Sequence, residues 1–248
     1  MKKLLLIPIV LLLGLLIVSC EDTTTGPDGT TPTTGNLAVV STPVGAQIWV
    51  DGTNTGKVTP DTVKNLSAGT HALTLKLDGY KDTVQTSITI TAGAVTTRNI
   101  TLTRAASTFG PVRLWETTGT TALQPSGLDL STGLAYGISS VDKDKVDIFY
   151  SSGGFVVRSA NGTSGMTRVT SFFVGSATNL NDGVDSPAAT PSWLTQIGDR
   201  ETNYVFLYDN DLHYSKMKIT SWGGGTPGNP AWVEVQLIYN EQVNAKVF

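Results

Sequence analysis

Few side chains in this 248-residue sequence are of a type that performs chemistry. Cys20 is the only cysteine, and the two histidines are His71 and His213. The sequence contains no phosphate-binding glycine loop, no serine nucleophile elbow and no His-Glu-x-x-His zinc motif. A Ser-His-Asp triad would have to use His213, which has no recognisable orienting context. We therefore predict that the chain is not an enzyme and that it holds no metal.

Acidic residues leave one catalytic alternative open. The paired carboxylates of a glycosidase meet in space and carry no signature in sequence, so Glu116, Glu201 and Glu234 keep a glycoside-active enzyme as an alternative. Residues 142–147 contain three aspartates, but they lack the turn glycine and the distal glutamate of a calcium loop. Two lysines also lie among the supposed ligands. This run therefore predicts a solvated loop.

The residues before Cys20 indicate what its thiol does. Two lysines precede an apolar run, residues 4–18, which ends at Ser19-Cys20. A positive start, a run of this length and a small residue at its end are typical of a secretory signal peptide. The ending resembles the lipobox of bacterial lipoproteins, in which the cysteine becomes the N-terminus and carries acyl chains. The resemblance implies a signal peptide over residues 1–19 and a membrane anchor at Cys20.

Residues 20–35 are predicted to be a lipidated cysteine followed by a disordered tether. Residues 21–35 contain no aliphatic or aromatic side chain, so they have nothing to bury. A flexible segment of this length spans about 20 Å. Glu21-Asp22 is similar to the acidic export signal of some Bacteroidota lipoproteins. The resemblance implies a lipid-anchored protein of the bacterial outer membrane, and it leaves open whether the protein is exposed at the cell surface.

Composition excludes some classes of function and structure. Only 15% of the residues are charged and the formal net charge is −3, so the phosphates of a nucleic acid would be repelled. Because Cys20 is the only cysteine, the chain cannot form an intramolecular disulfide. Abundant glycine, serine and threonine suit an exported β-rich protein.

Hydrophobic alternation predicts a small all-β domain over residues 36–104. Leu73, Leu75 and Leu77 share one face of a strand, and Asp51-Gly52 and Asp78-Gly79 are turn dipeptides that tolerate positive φ. No part of this region has helical periodicity, so we expect five to seven strands.

The order of short motifs in this region is more specific than its fold class. The motifs are Pro43-Val44-Gly45-Ala46, Asp51-Gly52, Thr59-Pro60, Gly69-Thr70-His71 and Gly79-Tyr80. This order over residues 36–103 resembles the PEGA domain, named for a Pro-Glu-Gly-Ala tetrapeptide, with Val44 as the departure. The resemblance implies a compact β-sandwich that acts as a spacer or attachment module. It also implies that His71 is structural and not a metal ligand.

Residues 107–248 are predicted to form a larger β-sandwich or flattened barrel. Seven runs have the alternation or composition of strands: 112–116, 146–150, 155–158, 168–174, 204–208, 214–219 and 232–239. Asp209-Asn210-Asp211 separates two of them as a hairpin turn. Residues 192–197 are the one candidate for a helical turn.

The succession of strand-like runs in this second region resembles the HmuY-like lipoproteins of Bacteroidota, whose members capture haem. The resemblance implies a haem-binding or small-ligand alternative. Axial ligation by two histidines is excluded because the region contains only His213. Met166 or Met217 would have to be the second ligand, and Met217 lies about 13 Å from His213 along one extended strand.

Aromatic side chains are the remaining candidates for binding. Alternation places Trp49 opposite Ile48 and Val50, and Trp222 precedes a glycine run that could open a groove. Exposed tryptophans of this kind stack on sugars or fill pockets of a partner. Trp193 and Tyr214 complete the candidate set with His213, and core packing is the alternative for each aromatic residue. The sequence as a whole predicts a noncatalytic surface lipoprotein that presents a β-domain to a glycan, an envelope component or a protein partner.

Overall fold

The computed structural model describes residues 31–117, 123–151 and 153–248. Within these ranges the chain forms seventeen strands and two short 3₁₀ helices, Lys143–Lys145 and Ala160–Gly162, and no α-helix. The prediction of an all-β fold is therefore confirmed. None of the described residues belongs to a helix able to cross a membrane. Residues 1–19 and Cys20, the predicted signal peptide and lipidation site, lie outside the described residues.

The N-terminal domain is a sandwich of two small sheets. Its strands are β1 (Thr34–Thr42), β2 (Gln47–Val50), β3 (Thr53–Val58), β4 (Asp61–Ser67), β5 (Gly69–Lys76), β6 (Thr83–Ile90) and β7 (Val95–Thr101). One sheet has the order β4-β1-β7, with β1 and β7 parallel, and the other has the order β3-β2-β5-β6. Leu37, Ile48 and Leu73 are fully buried between them, as the alternation of apolar residues predicts.

The first strand begins earlier than the sequence predicts. Thr34 pairs with Ser67 and Gly35 with Leu66, so the last two residues of the predicted tether belong to β1. Gly35 makes this pairing sterically feasible, because a Cβ atom there would lie 2.3 Å from the carbonyl oxygen of Thr91. The tether was predicted from the lack of apolar side chains in residues 21–35. Backbone pairing does not require apolar side chains, so Thr34 and Gly35 can still belong to a strand.

Two of the motifs in the N-terminal domain contact each other directly. The Gly45 amide donates to the Thr59 carbonyl oxygen over 2.8 Å, and the Ala46 amide donates to Thr59 Oγ1 over 3.0 Å. Gly45 has a φ of +94°, which a residue without a Cβ atom adopts at low cost. Val44 is exposed, so its departure from the tetrapeptide disturbs no packing.

His71 holds the β2–β3 turn against β5. Its Nδ1 lies 2.6 Å from Asp51 Oδ2, and its Nε2 lies 2.9 Å from the carbonyl oxygen of Ser67. Both partners accept hydrogen bonds, so the imidazolium form, which donates from both ring nitrogens, fits the site best. The hydrogen bond to Asp51 raises the pKa of His71. The Ala72 amide, followed by His71, lowers the pKa of Asp51.

We predict that His71→Gln lowers the melting temperature by a few degrees at mildly acidic pH and that this difference shrinks at alkaline pH. A raised histidine pKa contributes stability below its ordinary value of 6.5, and that contribution is lost as pH rises through the folded-state pKa. The lowered pKa of Asp51 contributes stability at pH values above its ordinary pKa of 3.8. That contribution is lost only as pH falls below 3.8 and through the folded-state pKa. Calorimetric melting of wild-type and variant chains at several pH values tests this. A difference that does not change with pH would contradict it.

The C-terminal domain consists of two five-stranded sheets. Its strands are β8 (Ala106–Trp115), β9 (Gly127–Leu128), β10 (Ala135–Tyr136), β11 (Ile148–Ser151), β12 (Val156–Ser159), β13 (Ser171–Val174), β14 (Gln196–Gly198), β15 (Val205–Tyr208), β16 (Tyr214–Gly223) and β17 (Trp232–Asn240). The sheet orders are β10-β9-β11-β12-β14 and β13-β15-β16-β17-β8. Side chains of both sheets form one core, so the domain is a sandwich.

The seven strands predicted in this domain are present, and the hairpin turn at residues 209–211 joins β15 to β16. The predicted helical turn at residues 192–197 is wrong. A tight turn closes with the Trp193 amide donating to the Thr190 carbonyl, and the chain then enters β14, which pairs with β12. Exposed Gln196 and Gly198 flank buried Ile197, as in a strand. Three residues are too few for this alternation to be recognised in the sequence.

The two domains contact each other through the segment that follows β17. The Gly79 amide donates to Gln242 Oε1 over 2.7 Å, and Gln242 Nε2 donates to the Tyr80 carbonyl over 2.6 Å. The Glu241 amide donates to the Ala105 carbonyl over 2.7 Å. β8 leaves this joint and β17 returns to it, so the far end of the pair lies about 30 Å away.

Candidate functional site

A groove with a volume of about 300 Å³ lies at the end of the C-terminal sandwich that is remote from the domain joint. Its lining residues are Phe155, Asp199, Arg200, Trp222, Gly223, Gly224, Gly225 and Ala231. Residues of both sheets and their turns contribute, so the groove lies where the two layers of the sandwich end.

The end of β16 places Trp222 in this groove. A register shift between Ile219 and Ser221 lets Trp222 pair with Val233, a fully buried core residue of β17. Trp222 is therefore on the core-facing side, but at the end of the sandwich its side chain stays 42% exposed. The next residue must be small, because a Cβ atom on Gly223 would lie 2.6 Å from the Trp232 ring.

Phe155 enters the groove from the turn between β11 and β12. Its φ is +53°, which is unusual for a bulky residue, and its side chain is 44% exposed. The ring lies against Gly225, because a Cβ atom there would be 3.4 Å from the ring edge. The turn therefore holds a large aromatic side chain, partly in solvent, in a backbone conformation that favours glycine.

Asp199 and Arg200 supply the polar groups of the groove. The Tyr150 hydroxyl donates to Asp199 Oδ2 over 2.9 Å, and the Asp199 amide donates to the Phe155 carbonyl over 2.9 Å. Arg200 is largely exposed, and its Nε lies 3.9 Å from Asp199 Oδ1, beyond hydrogen-bond distance. Burial, followed by the hydrogen bond to Asp199, raises the pKa of Tyr150. Asp199 Oδ1 can therefore accept a hydrogen bond from a ligand, and the Arg200 guanidinium can donate one to it.

The three glutamates of the glycosidase alternative occupy different places. Glu116 Oε1 accepts a hydrogen bond of 2.9 Å from the Ala231 amide, and its charge contributes to the raised pKa of Tyr150. Glu201 accepts from the amide of Asn203 in its own turn. Glu234 bonds Arg113 and Ser221 on the outer face of the sheet. Glu116 lies beside the groove through its bond to Ala231, and Glu201 directly follows the groove residue Arg200 in the sequence.

Trp193 and Tyr214 do not line the groove. Both are buried in a separate aromatic cluster, where their rings meet edge to face with centroids 6.3 Å apart. The Tyr214 hydroxyl accepts a hydrogen bond from the Ala189 amide over 2.9 Å. The core-packing alternative therefore describes the positions of both residues, and neither side chain belongs to the groove.

His213 also lies away from the groove. Its Nδ1 is 2.8 Å from the Asn240 carbonyl oxygen, and its ring stacks on Tyr239 with centroids 5.1 Å apart. Met217 is fully buried in the main core, and Met166 is buried in a smaller cluster. These side chains do not fit an axial pair for haem, so the arrangement does not favour the haem alternative.

Trp49 lies in the N-terminal domain with its ring partly covered. Its Nε1–H donates to Gln47 Oε1 over 3.1 Å, and Lys76 Nζ lies 5.0 Å from the ring centroid. The cation therefore occupies one ring face, leaving less of the ring to stack on a ligand than Trp222 offers.

The prediction of a solvated loop at residues 142–147 is confirmed for residues 142–145, which are partly or fully exposed, and is wrong for Asp147. Asp147 is 1% exposed, and its carboxylate accepts hydrogen bonds from Arg168 Nε over 2.7 Å and from the Leu130 amide over 2.9 Å. Burial raises the pKa of Asp147 to about 6, against the opposing effects of these two partners. Arg168 also bonds Asp211, so the network connects distant loops. Among the described residues, no cluster of three histidine, cysteine or carboxylate side chains is arranged for a metal ion.

Comparison with known proteins defines the N-terminal part of the chain. Residues 34–106 match the PEGA domain model, so this part of the chain is a PEGA domain. No curated protein matches the chain. The chain is similar to a crystal structure described as a "putative pore-forming toxin" from Bacteroides vulgatus ATCC 8482. The identity is 12% over 84% of this chain and 90% of that one, with a TM-score of 0.20, which carries no argument about function.

We predict that Asp199→Ala costs about 1–3 kcal/mol of unfolding free energy, because it leaves the Tyr150 hydroxyl without its partner. Tyr150→Phe removes the hydroxyl itself and should cost less. In the double variant, the cost of Asp199→Ala should fall well below its value in the wild type. Urea denaturation of the four chains measures this coupling. Additive costs in the double variant would show that the two groups do not interact.

Proposed function

We propose that the chain is a noncatalytic, lipid-anchored lipoprotein of the bacterial outer membrane, and that its C-terminal domain binds carbohydrate in the groove. The observation that carries the proposal is a pair of exposed aromatic side chains, Trp222 and Phe155, beside the polar groups of Asp199 and Arg200. A concave site with aromatic walls and a few polar groups is the usual form of a small-ligand site.

The chemistry of a sugar ring matches these side chains. The C–H groups of a pyranose form an apolar face that packs on an aromatic ring, while its hydroxyls both donate and accept hydrogen bonds. Asp199 Oδ1 accepts from hydroxyls, and the exposed Arg200 guanidinium donates to hydroxyl or ring oxygens. Because Trp222 is 42% exposed, its ring can pack on a sugar without completely burying the indole N–H group.

The position of the groove suits display away from a membrane. The PEGA domain precedes the C-terminal domain in the chain and contacts it through Gln242 and Glu241. The groove lies at the opposite end of β8 and β17, about 30 Å from this contact. A lipid at Cys20 would therefore place the PEGA domain nearer the membrane and the groove farther from it.

The polar contacts in the groove support binding rather than hydrolysis. A glycosidase needs one carboxylic acid and one carboxylate positioned on either side of the scissile bond. Asp199 already accepts the Tyr150 hydroxyl, and Glu116 already accepts the Ala231 amide. One oxygen of each carboxylate is thereby engaged in the wall of the groove, and Asp199 Oδ1 remains for a ligand hydroxyl.

We predict that Trp222→Ala weakens carbohydrate binding at least about tenfold, the effect of losing one stacking surface. The probes are cello-, chito-, laminari- and malto-oligosaccharides of one to six rings, measured by isothermal titration calorimetry. Trp49→Ala is the matched control, because it removes a partly exposed tryptophan of the other domain, and it should leave affinity unchanged.

Failure of every oligosaccharide to bind the wild-type chain would overturn this function. Shortening of any probe during incubation, abolished in Asp199→Asn, would instead establish the glycoside-active alternative. Chromatography of the incubated probes distinguishes the two results.

We further predict that Cys20→Ser releases the folded protein from the membrane fraction, because the acylated thiol is the proposed anchor. Fractionation of expressing cells, with radiolabelled palmitate to detect acylation, measures this. Ser19→Ala is the control, since a small residue is retained before the cysteine and anchoring should persist. A Cys20→Ser chain that stays membrane-bound would mean that residues 4–18 are an uncleaved anchor.

A further inference from the structure

We infer that the groove binds two or more consecutive sugar rings, with Trp222 and Phe155 as separate stacking surfaces and Phe155 as the residue that determines ligand length. This inference rests on the proposed carbohydrate function and specifies its ligand class. The strained conformation of Phe155 and the origin of the two aromatic residues on opposite sheets both support it.

The backbone of Phe155 carries a cost that packing does not explain. A bulky residue with φ near +53° costs on the order of 1 kcal/mol or more relative to glycine. Such a cost is normally repaid by burial of the side chain, yet Phe155 is 44% exposed. The preceding Ser-Gly-Gly run could have placed a third glycine at this turn. Retaining an aromatic ring in this strained, half-exposed place points to a use in the groove.

Trp222 and Phe155 approach the groove from different layers of the sandwich. Trp222 belongs to β16 in one sheet, and Phe155 precedes β12 in the other. Small residues, among them Gly225 and Ala231, also line the groove. Because they are attached to different sheets, the two aromatic rings need not lie in one plane. Each one therefore offers a face to a different part of a ligand.

The polar residues are positioned to form hydrogen bonds with the hydroxyls of an oligosaccharide. Asp199 and Arg200 follow β14, which pairs with β12 directly beyond Phe155. The Asp199 amide bonds the Phe155 carbonyl, so the carboxylate and the aromatic ring are held at one site. A ring stacked on Phe155 would present its edge hydroxyls to Asp199 Oδ1 and Arg200. The ligand class is a chain of equatorially linked pyranoses, whose successive rings present flat apolar faces.

The test is the dependence of affinity on chain length. With the cello- and chito-oligosaccharide series, calorimetry should show Kd falling about tenfold between one ring and two or three rings, and little change beyond. Phe155→Gly should abolish this gain, so that a chain of several rings binds no more tightly than one ring. Glycine adopts a positive φ without strain, which offsets the packing and the unfolded-state entropy that the variant loses, so its stability should stay close to that of the wild type.

Leu212→Gly is the matched control for the strain. Leu212 also has a positive φ, +67°, and a half-exposed side chain, but it lies in the β15–β16 turn near the domain joint. It should also retain stability while keeping the full dependence on chain length. This comparison separates relief of backbone strain from loss of a stacking surface.

The outcomes distinguish this inference from the function on which it rests. Binding that is equally tight for one ring and for several, or that is unaffected by Phe155→Gly, overturns the inference and leaves the carbohydrate function standing. Binding of α-linked malto-oligosaccharides alone overturns the equatorially linked ligand class. Absence of binding to every probe overturns both the function and the inference.

Discussion

Burial of alternate side chains along β17 is the constraint on which the rest of the C-terminal domain depends. Val233, Val235 and Leu237 are fully buried between the two sheets, which fixes the register of β17 against β8 and β16. That register carries Gln242 to the PEGA domain at one end of the strand. At the other end it places Ala231 in the groove. A one-residue slip would turn the apolar set outward and displace both ends together.

The periodicity of the sequence predicts most of this framework, because each long strand buries one face over several residues. β9, β10 and β14 were missed because two or three residues cannot display an alternation. The PEGA domain was recognisable from glycines and prolines whose backbone requirements are local. Gly45, for example, has a positive φ of +94°, which glycine adopts at low cost.

The site was harder to predict because it is assembled across the two sheets. Trp222 could be singled out from the glycine run that follows it. Phe155 and the adjacent pair Asp199-Arg200 lie far from Trp222 and from each other in the sequence, and they share no motif. The one available signal was Phe155 directly after two glycines. The same limit applies to Asp147, which looked like part of a solvated loop. Its burial depends on Arg168, twenty-one residues away.

Stability and binding place opposite demands on the turn between β11 and β12. Glycine at residue 155 would lower the backbone cost, and the aromatic residue there is only partly buried in the free protein. The conflict is tolerable because the Asp199 amide anchors the Phe155 carbonyl and the pairing of Val156 with Gly198 fixes the next residue. The sandwich therefore provides enough surrounding structure to hold one strained residue. A ligand that packs on the exposed ring would repay the cost that the free protein leaves uncompensated.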